Sequence, residues 1–234
     1  DATYNWAAPH ARIANAISWG AAGDMYYVAS DHAETQSTAI TLTFKGTDAS
    51  PDRCLSVNKA GSVPPVAADL TTGAQVTTTG NSGITINGVF YLYGIKFASG
   101  SGASGTANIS TGASNNSQIY DTCQFHVLTT STSSGIFAMN NVSAKATFIG
   151  CSLQFGHVSQ DLNFLGKVDF IGRGGNILTG SGSVPTTFIV FNTTSGFTIE
   201  GHDLSSFITG KTIFGPAGNG AGAAAKIINC KLDS

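Results

Sequence analysis

Charged side chains are scarce in this chain of 234 residues. Asp, Glu, Lys and Arg together make up 10% of it, and the formal net charge is -2, whereas ordinary globular chains are about one quarter charged. Binding to nucleic acid or to an acidic lipid surface requires clustered Lys and Arg that displace counterions. We therefore expect neither partner.

Long apolar runs are also missing. No stretch approaches the roughly 20 apolar residues that span a bilayer, and the first residues lack the basic and apolar regions of a signal peptide. We therefore expect no membrane insertion. The abundant residues are instead Gly, Ser, Thr, Ala and Asn, which predict a surface of small, neutral polar groups.

A repeat of about 28 residues runs through the chain from about residue 84. Each copy has a short apolar run, then a small or turn-forming residue that we call the anchor, and then a second apolar pair. The anchors are Gly94, Thr122, Gly150, Gly172, Gly201 and Asn229, with spacings of 28, 28, 22, 29 and 28 residues. Repeats of this length indicate a solenoid in which each repeat is one coil.

Two apolar ladders accompany the anchors. The first lies two residues before each anchor and consists of Leu92, Tyr120, Phe148, Phe170, Ile199 and Ile227. The second lies three residues after it and consists of Phe97, Phe125, Leu153, Gly175, Leu204 and Leu232. Because the inward positions change parity across the anchor, the chain must bend there, and Gly and Asn tolerate the left-handed backbone of such a bend.

A third apolar group precedes most anchors and suggests a third face: Ile109, Ile136 to Met139, Phe188 to Phe191, and Ile213 with Phe214. A single coil cannot bury its own apolar side, so the coils must stack and pair their backbones. The sequence predicts an all-β fold, a parallel β-helix solenoid of about seven coils.

The N-terminal part follows a different pattern. Pro9 to Trp19 places Ile13, Ala16 and Ile17 on one helical face, with Pro9 positioned to start the helix. We predict a capping helix and first strand over residues 1–37 and the β-helix over residues 38–234, as a single domain overall.

The run ARIANAISWGAAGDMYYVASDHAET resembles the start of pectin-lyase-like right-handed parallel β-helices, in which a helix covers the first coil before an Ala-Gly-Asp turn and a strand. With the repeat, the resemblance spans nearly the whole chain and is greatest to bacteriophage virion and tailspike-type members. It implies a right-handed β-helix. Because this fold serves lyases, hydrolases, tailspikes and non-catalytic virion proteins alike, it leaves the function open.

Three of the four cysteines directly follow an anchor: Cys123, Cys151 and Cys230. We expect them in an inward ladder as reduced, packed thiols, with Cys54 outside it. Zinc would need four tetrahedral ligands rather than three residues in a line. The sequence predicts no metal site and no cofactor.

Polar residues interrupt the position after the anchor in two neighbouring coils, where Arg173 and His202 replace Ile or Cys. Asp169, Glu200 and Asp203 lie nearby in the alignment of repeats. These five are the candidate catalytic residues, since an Arg or His could take a proton beside a uronate carboxyl, or paired carboxylates could act as acid and base.

A structural interpretation competes with this one. The 22-residue spacing indicates an irregular coil, which would turn Arg173 outward to pair with Asp169 or Glu200. The clustered Asp ligands for calcium found in pectate lyases have no counterpart at matched positions.

Three functions follow as hypotheses. The first is a non-enzymatic bacteriophage virion protein on the capsid or tail exterior, assembled in the host cytoplasm, which stabilises the particle or attaches to the host surface. Its expected partners are two further copies in a homotrimer, other virion proteins and, for attachment, a host-surface polysaccharide. KLDS directly follows a core strand, so we expect another chain or a missing portion to cover that open end. The homotrimer is what the resemblance to phage β-helix proteins implies.

The second hypothesis is a secreted polysaccharide lyase or glycoside hydrolase that uses the candidate catalytic residues. The third is a glycan-binding module, in which Tyr91 and Tyr93 would stack on sugar rings.

Overall fold

The computed structural model describes residue 6 and residues 9–112, 117–133, 137–180, 182–191, 196–207, 210–216 and 224–232. One α-helix occurs in this part of the chain, α1 (Ile13–Trp19), together with a short 3-10 helix (Ala67–Asp69). The remaining regular structure is β-strand.

The strands of the first half are β1 (Met25–Ala29), β2 (Ala33–Gln36), β3 (Ile40–Thr43), β4 (Asp52–Val57), β5 (Gln75–Thr79), β6 (Ile84–Asn87), β7 (Phe90–Tyr93), β8 (Lys96–Ser101), β9 (Ile109–Thr111) and β10 (Ser117–Asp121). Those of the second half are β11 (Gln124–Val127), β12 (Phe137–Met139), β13 (Lys145–Ile149), β14 (Ser152–Phe155), β15 (Leu162–Phe164), β16 (Lys167–Ile171), β17 (Thr187–Phe191), β18 (Gly196–Glu200), β19 (Thr212–Pro216) and β20 (Ala224–Ile228).

The strands form three parallel sheets. Sheet A has the order β1-β4-β7-β10-β13-β16-β18-β20, sheet B has β14-β11-β8-β5-β2, and sheet C has β19-β17-β15-β12-β9-β6-β3. From β1 to β15 the chain contributes one strand to A, then to B, then to C, and repeats this cycle. The topology is consistent with a parallel β-helix. The sheets contain eight, five and seven strands, so the number of coils depends on the face that is counted.

The register confirms most of the first predicted ladder. In sheet A, Tyr120 pairs with Leu92 and Phe148, and Phe148 pairs with Phe170. These side chains are fully buried, because inward positions recur with period two along a strand. The rings of Tyr120 and Phe148 stack at 4.8 Å, and those of Phe148 and Phe170 at 4.7 Å. The core is a column of aromatic rings along the axis of the stack.

The predicted bend at the anchors is also present. Five of the six anchors have a positive φ: Gly94 (70°), Thr122 (54°), Gly150 (57°), Gly201 (65°) and Asn229 (51°). Each lies where sheet A ends and the chain turns toward the next strand. Gly172 does not have a positive φ, and its coil is the irregular one described below.

The third face is sheet C. Phe137 pairs with Ile109, and Ile189 pairs with Leu162 and Phe214. Ile136, which the sequence placed in the same group, lies outside the described residues.

Two details of the sequence-based prediction are wrong. The helix begins at Ile13 rather than at Pro9, because Arg12 is extended, with φ -134° and ψ 135°, and the buried Glu34 carboxylate accepts a hydrogen bond from the Ile13 backbone N–H at 3.1 Å. In the second ladder, Leu153 pairs with Leu178 and not with Gly175. Leu178 follows Gly172 by six residues, whereas Leu153 follows Gly150 by three, so the turn after Gly172 is three residues longer than the one after Gly150.

Among the described residues, no helix has the length and hydropathy that a membrane crossing requires.

Candidate functional site

The candidate site lies where the coil after Gly172 departs from the repeat. Sheet A keeps its register there, since Ile171 pairs with both Ile149 and Glu200. Beyond the anchors, Asn176 pairs with Asp203. Asn176 follows its anchor Gly172 by four residues, whereas Asp203 follows its anchor Gly201 by two. The turn after Gly172 is therefore two residues longer than the turn after Gly201.

Arg173 turns outward in this longer turn, as the structural interpretation predicted, but its partner is neither Asp169 nor Glu200. Its guanidinium Nη2 donates to Asp121 Oδ1 at 2.8 Å, and Nη1 donates to Thr122 Oγ1 at 3.0 Å. The side chain crosses Gly150 on the way, where an added Cβ would lie 3.1 Å from Arg173 Cδ. The absence of a side chain at this anchor therefore makes room for the arginine.

Asp121 is the centre of this cluster, and sequence reasoning missed it. Its carboxylate also accepts the Tyr91 hydroxyl at 2.9 Å and the Thr122 hydroxyl at 2.8 Å. Burial and the hydrogen bond to Asp121 raise the pKa of Tyr91. We call Tyr91, Asp121, Thr122 and Arg173 the surface clamp, since it joins β7, β10 and the turn after β16. The sequence offers one signal for this cluster. Asp121 directly precedes Thr122, the one anchor that is neither Gly nor Asn.

The candidate carboxylates do not join Arg173. Asp169 lies 3.5 Å from Lys167 Nζ, and Asp203 lies 3.7 Å from Lys231 Nζ. The hydroxyl and backbone N–H of Ser205 lower the pKa of Asp203, which is the opposite of what a general acid requires. Glu200 ends β18 on the outward face, opposite Ile171.

The residues that do come together are Arg173 and His202, which line one cavity of about 210 Å³. Its other lining residues are Thr122, Gly150, Cys151, Ser152, Gly175 and Asn176. Arg173 turns outward at one side of this cavity, and Gly175 lies at its open side, since a Cβ added there would meet no atom within 4 Å.

His202 is the buried polar group of the cavity. Its residue is 4% exposed, and neither ring nitrogen has a hydrogen-bond partner of normal geometry in the described structure. Burial lowers the pKa of His202, while the backbone of Gly175 acts in the opposite direction. The ring packs closely on the anchor below it, because a Cβ at Gly172 would lie 2.8 Å from His202 Cγ.

The cysteines are free thiols. Cys123 and Cys151 are buried, and Cys151 Sγ lies 3.3 Å from the Tyr120 carbonyl oxygen, to which it donates. Burial raises the pKa of Cys151, so the thiol stays protonated and is a poor nucleophile. Among the described residues, no three His, Cys, Asp or Glu side chains are arranged to hold a metal ion.

The candidate glycan-binding tyrosines lie on the outward face of β7. Tyr91 pairs in register with Arg53 and Ile119, and Tyr93 pairs with Leu55 and Asp121. Both are half-buried, and the Tyr91 hydroxyl is bound in the surface clamp. Their neighbours on this face of sheet A are therefore both apolar, as Leu55 and Ile119, and charged, as Arg53 and Asp121.

Comparison of the chain with protein-family models, curated proteins and solved structures finds no match.

Proposed function

We propose that this chain is a non-enzymatic structural protein of a bacteriophage virion. In this proposal the three sheets are the faces of a right-handed, pectin-lyase-like β-helix on the capsid or tail exterior, where it stabilises the particle or contacts the host surface. The proposed location is the virion, after assembly in the host cytoplasm. A neutral, polar surface over a densely packed aromatic core favours a structural role.

The observation that carries the proposal is the separation of the candidate catalytic residues. Asp169 and Asp203 each lie beside a lysine, and neither they nor Glu200 line the cavity that Arg173 and His202 share. Acid and base catalysis would need these groups to act on the same substrate atoms. Their arrangement instead suits an outer surface of paired charges.

Assembly is the second part of the proposal. The outward face of sheet A carries apolar side chains that are more than one third exposed, among them Met25 (41%), Ile119 (38%) and Ile171 (36%). Arg53 and Tyr91 lie between Met25 and Ile119 in register, and Tyr27, Leu55 and Tyr93 form the adjacent row. Exposed apolar side chains grouped on one face, here interspersed with charged ones, are typical of interaction surfaces. Because every copy carries the same face, we propose that further copies cover it, in a homotrimer.

Light scattering of the purified protein tests the assembly. We expect the mass of three chains, and we expect Ile119→Lys to shift it toward one chain, because a charge would have to be desolvated in the interface. Val142→Lys is the matched control, since Val142 is 55% exposed and lies outside sheet A. A monomeric parent protein, or equal effects of the two variants, would show that this face does not mediate assembly.

Two further measurements separate the virion role from catalysis. Antibodies against the chain should label the exterior of virus particles from its source in electron micrographs. Incubation with neutral and uronate-containing polysaccharides should release neither reducing ends nor unsaturated uronates. Cleavage that disappears in Arg173→Ala would establish the lyase or hydrolase alternative, and unlabelled particles would exclude the virion location.

A further inference from the structure

A carboxylate stands at the first position of an otherwise apolar ladder in sheet B. Glu34 pairs in register with Val76, Val76 with Phe97, and the ladder continues through Phe125 to Leu153. All five residues are buried. A buried carboxylate is unfavourable unless other groups donate hydrogen bonds to it, so the partners of Glu34 decide what this position does.

Helix α1 packs on the first coil beside this carboxylate. It contacts β3 and β1 and buries two side chains, Ile13 and Ile17. With seven residues, α1 is shorter than the roughly 12–15 residues that an isolated helix needs in water. Its helical conformation therefore depends on its contacts with the first coil.

Two charged side chains from outside the helix hold α1, one at each end. Glu34 Oε2 accepts a hydrogen bond from the Ile13 N–H at 3.1 Å. At the other end, Lys45 Nζ donates to the carbonyl oxygens of Ser18 at 2.8 Å and Gly20 at 2.6 Å. Acid can remove only the contact at Glu34, because protonation neutralises a carboxylate and leaves an ammonium group charged.

The other groups around Glu34 also favour its ionised form. His32 Nε2 lies 3.5 Å from Oε2, and the Gln36 amide donates to Oε1. In the described part of the chain His32 is the one titratable group in contact with Glu34, and α1 itself contains no charged residue. Burial by itself raises the pKa of Glu34, but the contacts with His32, the Ile13 N–H and Gln36 hold it below its ordinary value of 4.5.

We propose that α1 is an acid-released cap of the first coil. While Glu34 is ionised, α1 stays docked. Once Glu34 is protonated, the carboxyl group is a weaker acceptor, a protonated His32 lacks its counter-charge, and α1 detaches. Detachment uncovers Ile40 and Leu42, which are buried in β3 at the end of sheet C, while the later coils stay folded.

The test is hydrogen exchange of the intact protein, followed by mass spectrometry between about pH 6.5 and about pH 3.5 and corrected for the intrinsic rate. The contribution of Glu34 is complete above pH 4.5 and is lost as the pH falls below it. We expect the α1 peptide to lose protection by up to about tenfold at pH 3.5, because one proton is linked to release. Peptides of β10 and β13 should keep their protection.

Three results of this titration would overturn the proposal. The first is an α1 that is already unprotected at pH 6.5, and the second is an α1 whose protection does not change down to pH 3.5. The third is an equal loss in α1, β10 and β13, which would show that the whole stack unfolds rather than α1 alone.

Variants assign the effect to one carboxylate. Glu34→Gln keeps the size and one acceptor oxygen but not the charge, so α1 should be less protected at pH 6.5 and should respond no further to acid. Glu200→Gln is the matched control, because Glu200 is the other glutamate of the chain and ends β18 on the outward face. Acid release that persists in Glu34→Gln, or that disappears in the control, would contradict the assignment.

NMR of the parent protein decides the assignment even if Glu34→Gln does not fold. The chain has two glutamates, so isotope labelling of glutamate gives two side-chain carboxyl signals, which Glu200→Gln distinguishes. We expect the Glu34 signal to titrate together with the loss of α1 protection. A Glu34 signal that titrates without any change in α1 would overturn the proposal.

Discussion

Single residues decide whether the chain can turn from sheet A toward the next strand. Thr122 adopts a φ of 54°, a conformation that costs a residue with a side chain about 1–2 kcal/mol. Its hydroxyl donates to Asp121 and accepts from Arg173. The hydrogen bonds of the surface clamp therefore stabilise Thr122 in a left-handed backbone conformation, at a position where four of the other anchors are glycines.

Gly150→Ala tests this requirement at the matching anchor. Gly150 has a φ of 57°, and an added Cβ would press on Arg173 Cδ at 3.1 Å. We expect a loss of about 1–2 kcal/mol in the free energy of unfolding, measured by urea denaturation. Gly175→Ala is the control, with an expected change within about 0.5 kcal/mol. Equal losses in the two variants would mean that backbone conformation is not the cause.

His126 makes stability depend on pH. Burial, with a smaller contribution from Lys96, lowers its pKa from 6.5 to about 4, and its Nε2 has no partner. As the pH falls from 6.5 toward 4, His126 is protonated in the unfolded chain before it is protonated in the folded chain. Its contribution to the free energy of unfolding is therefore fully present above pH 6.5 and is lost as the pH falls toward 4.

His126→Gln should therefore flatten the pH dependence. Between pH 7 and pH 4 we expect the variant to lose less unfolding free energy than the parent, by on the order of 1 kcal/mol. His202 titrates in the same direction but is present in both proteins, so its contribution cancels. Parallel curves for the parent and the variant would contradict the assignment to His126.

At the scale of one strand, side-chain packing makes the largest contribution to the free energy of unfolding. Phe148 in β13 is fully buried and contacts the rings of Tyr120, Phe170 and Phe137. Phe148→Ala should reduce the unfolding free energy by about 3–5 kcal/mol, since it leaves a cavity in the aromatic column. Thermal or urea unfolding measures the loss.

The same ladder offers a control at β20. Ile227 pairs with Ile199 in register, yet it is 38% exposed. Ile227→Ala should cost only about 1–2 kcal/mol, because more than one third of its surface is already exposed. Comparable losses at Phe148 and Ile227 would mean that position in the stack, rather than burial, sets the cost.

The sequence predicted the regular elements well for a physical reason. Apolar side chains with period two on either side of a bend identify Tyr120 and Phe148 as inward-facing and Gly150 as the bend, and the register confirms this. The longer turn after Gly172 was not predictable in detail. Its two additional residues leave no periodic signal, and the Arg173 to Asp121 contact joins positions 52 residues apart.

At the scale of the whole molecule, the scarcity of charge sets the response to solvent. Only 10% of the residues are charged, and in the pairs Lys59–Asp31 and Arg173–Asp121 the basic side chains are more than half exposed. Exposed pairs of this kind contribute about 0–1 kcal/mol each, so apolar packing must supply most of the stability.

The melting temperature should therefore change little with salt. Between about 0.05 and about 0.5 M sodium chloride, where screening of surface charges becomes nearly complete, we expect a shift of no more than about 2 °C. Calorimetry measures it. A large downward shift would show that ion pairs matter more than their exposure suggests.

The parallel sheets also give the molecule a mechanical direction. The hydrogen bonds between neighbouring strands, such as those that join β10 to β13 and β13 to β16, point along the stack, because they run across the strands. A pull along the stack would load one strand pair after another and peel the chain open at low force. A pull along the strands would shear all bonds of a pair at once, so the molecule should resist sideways loads far better than axial tension.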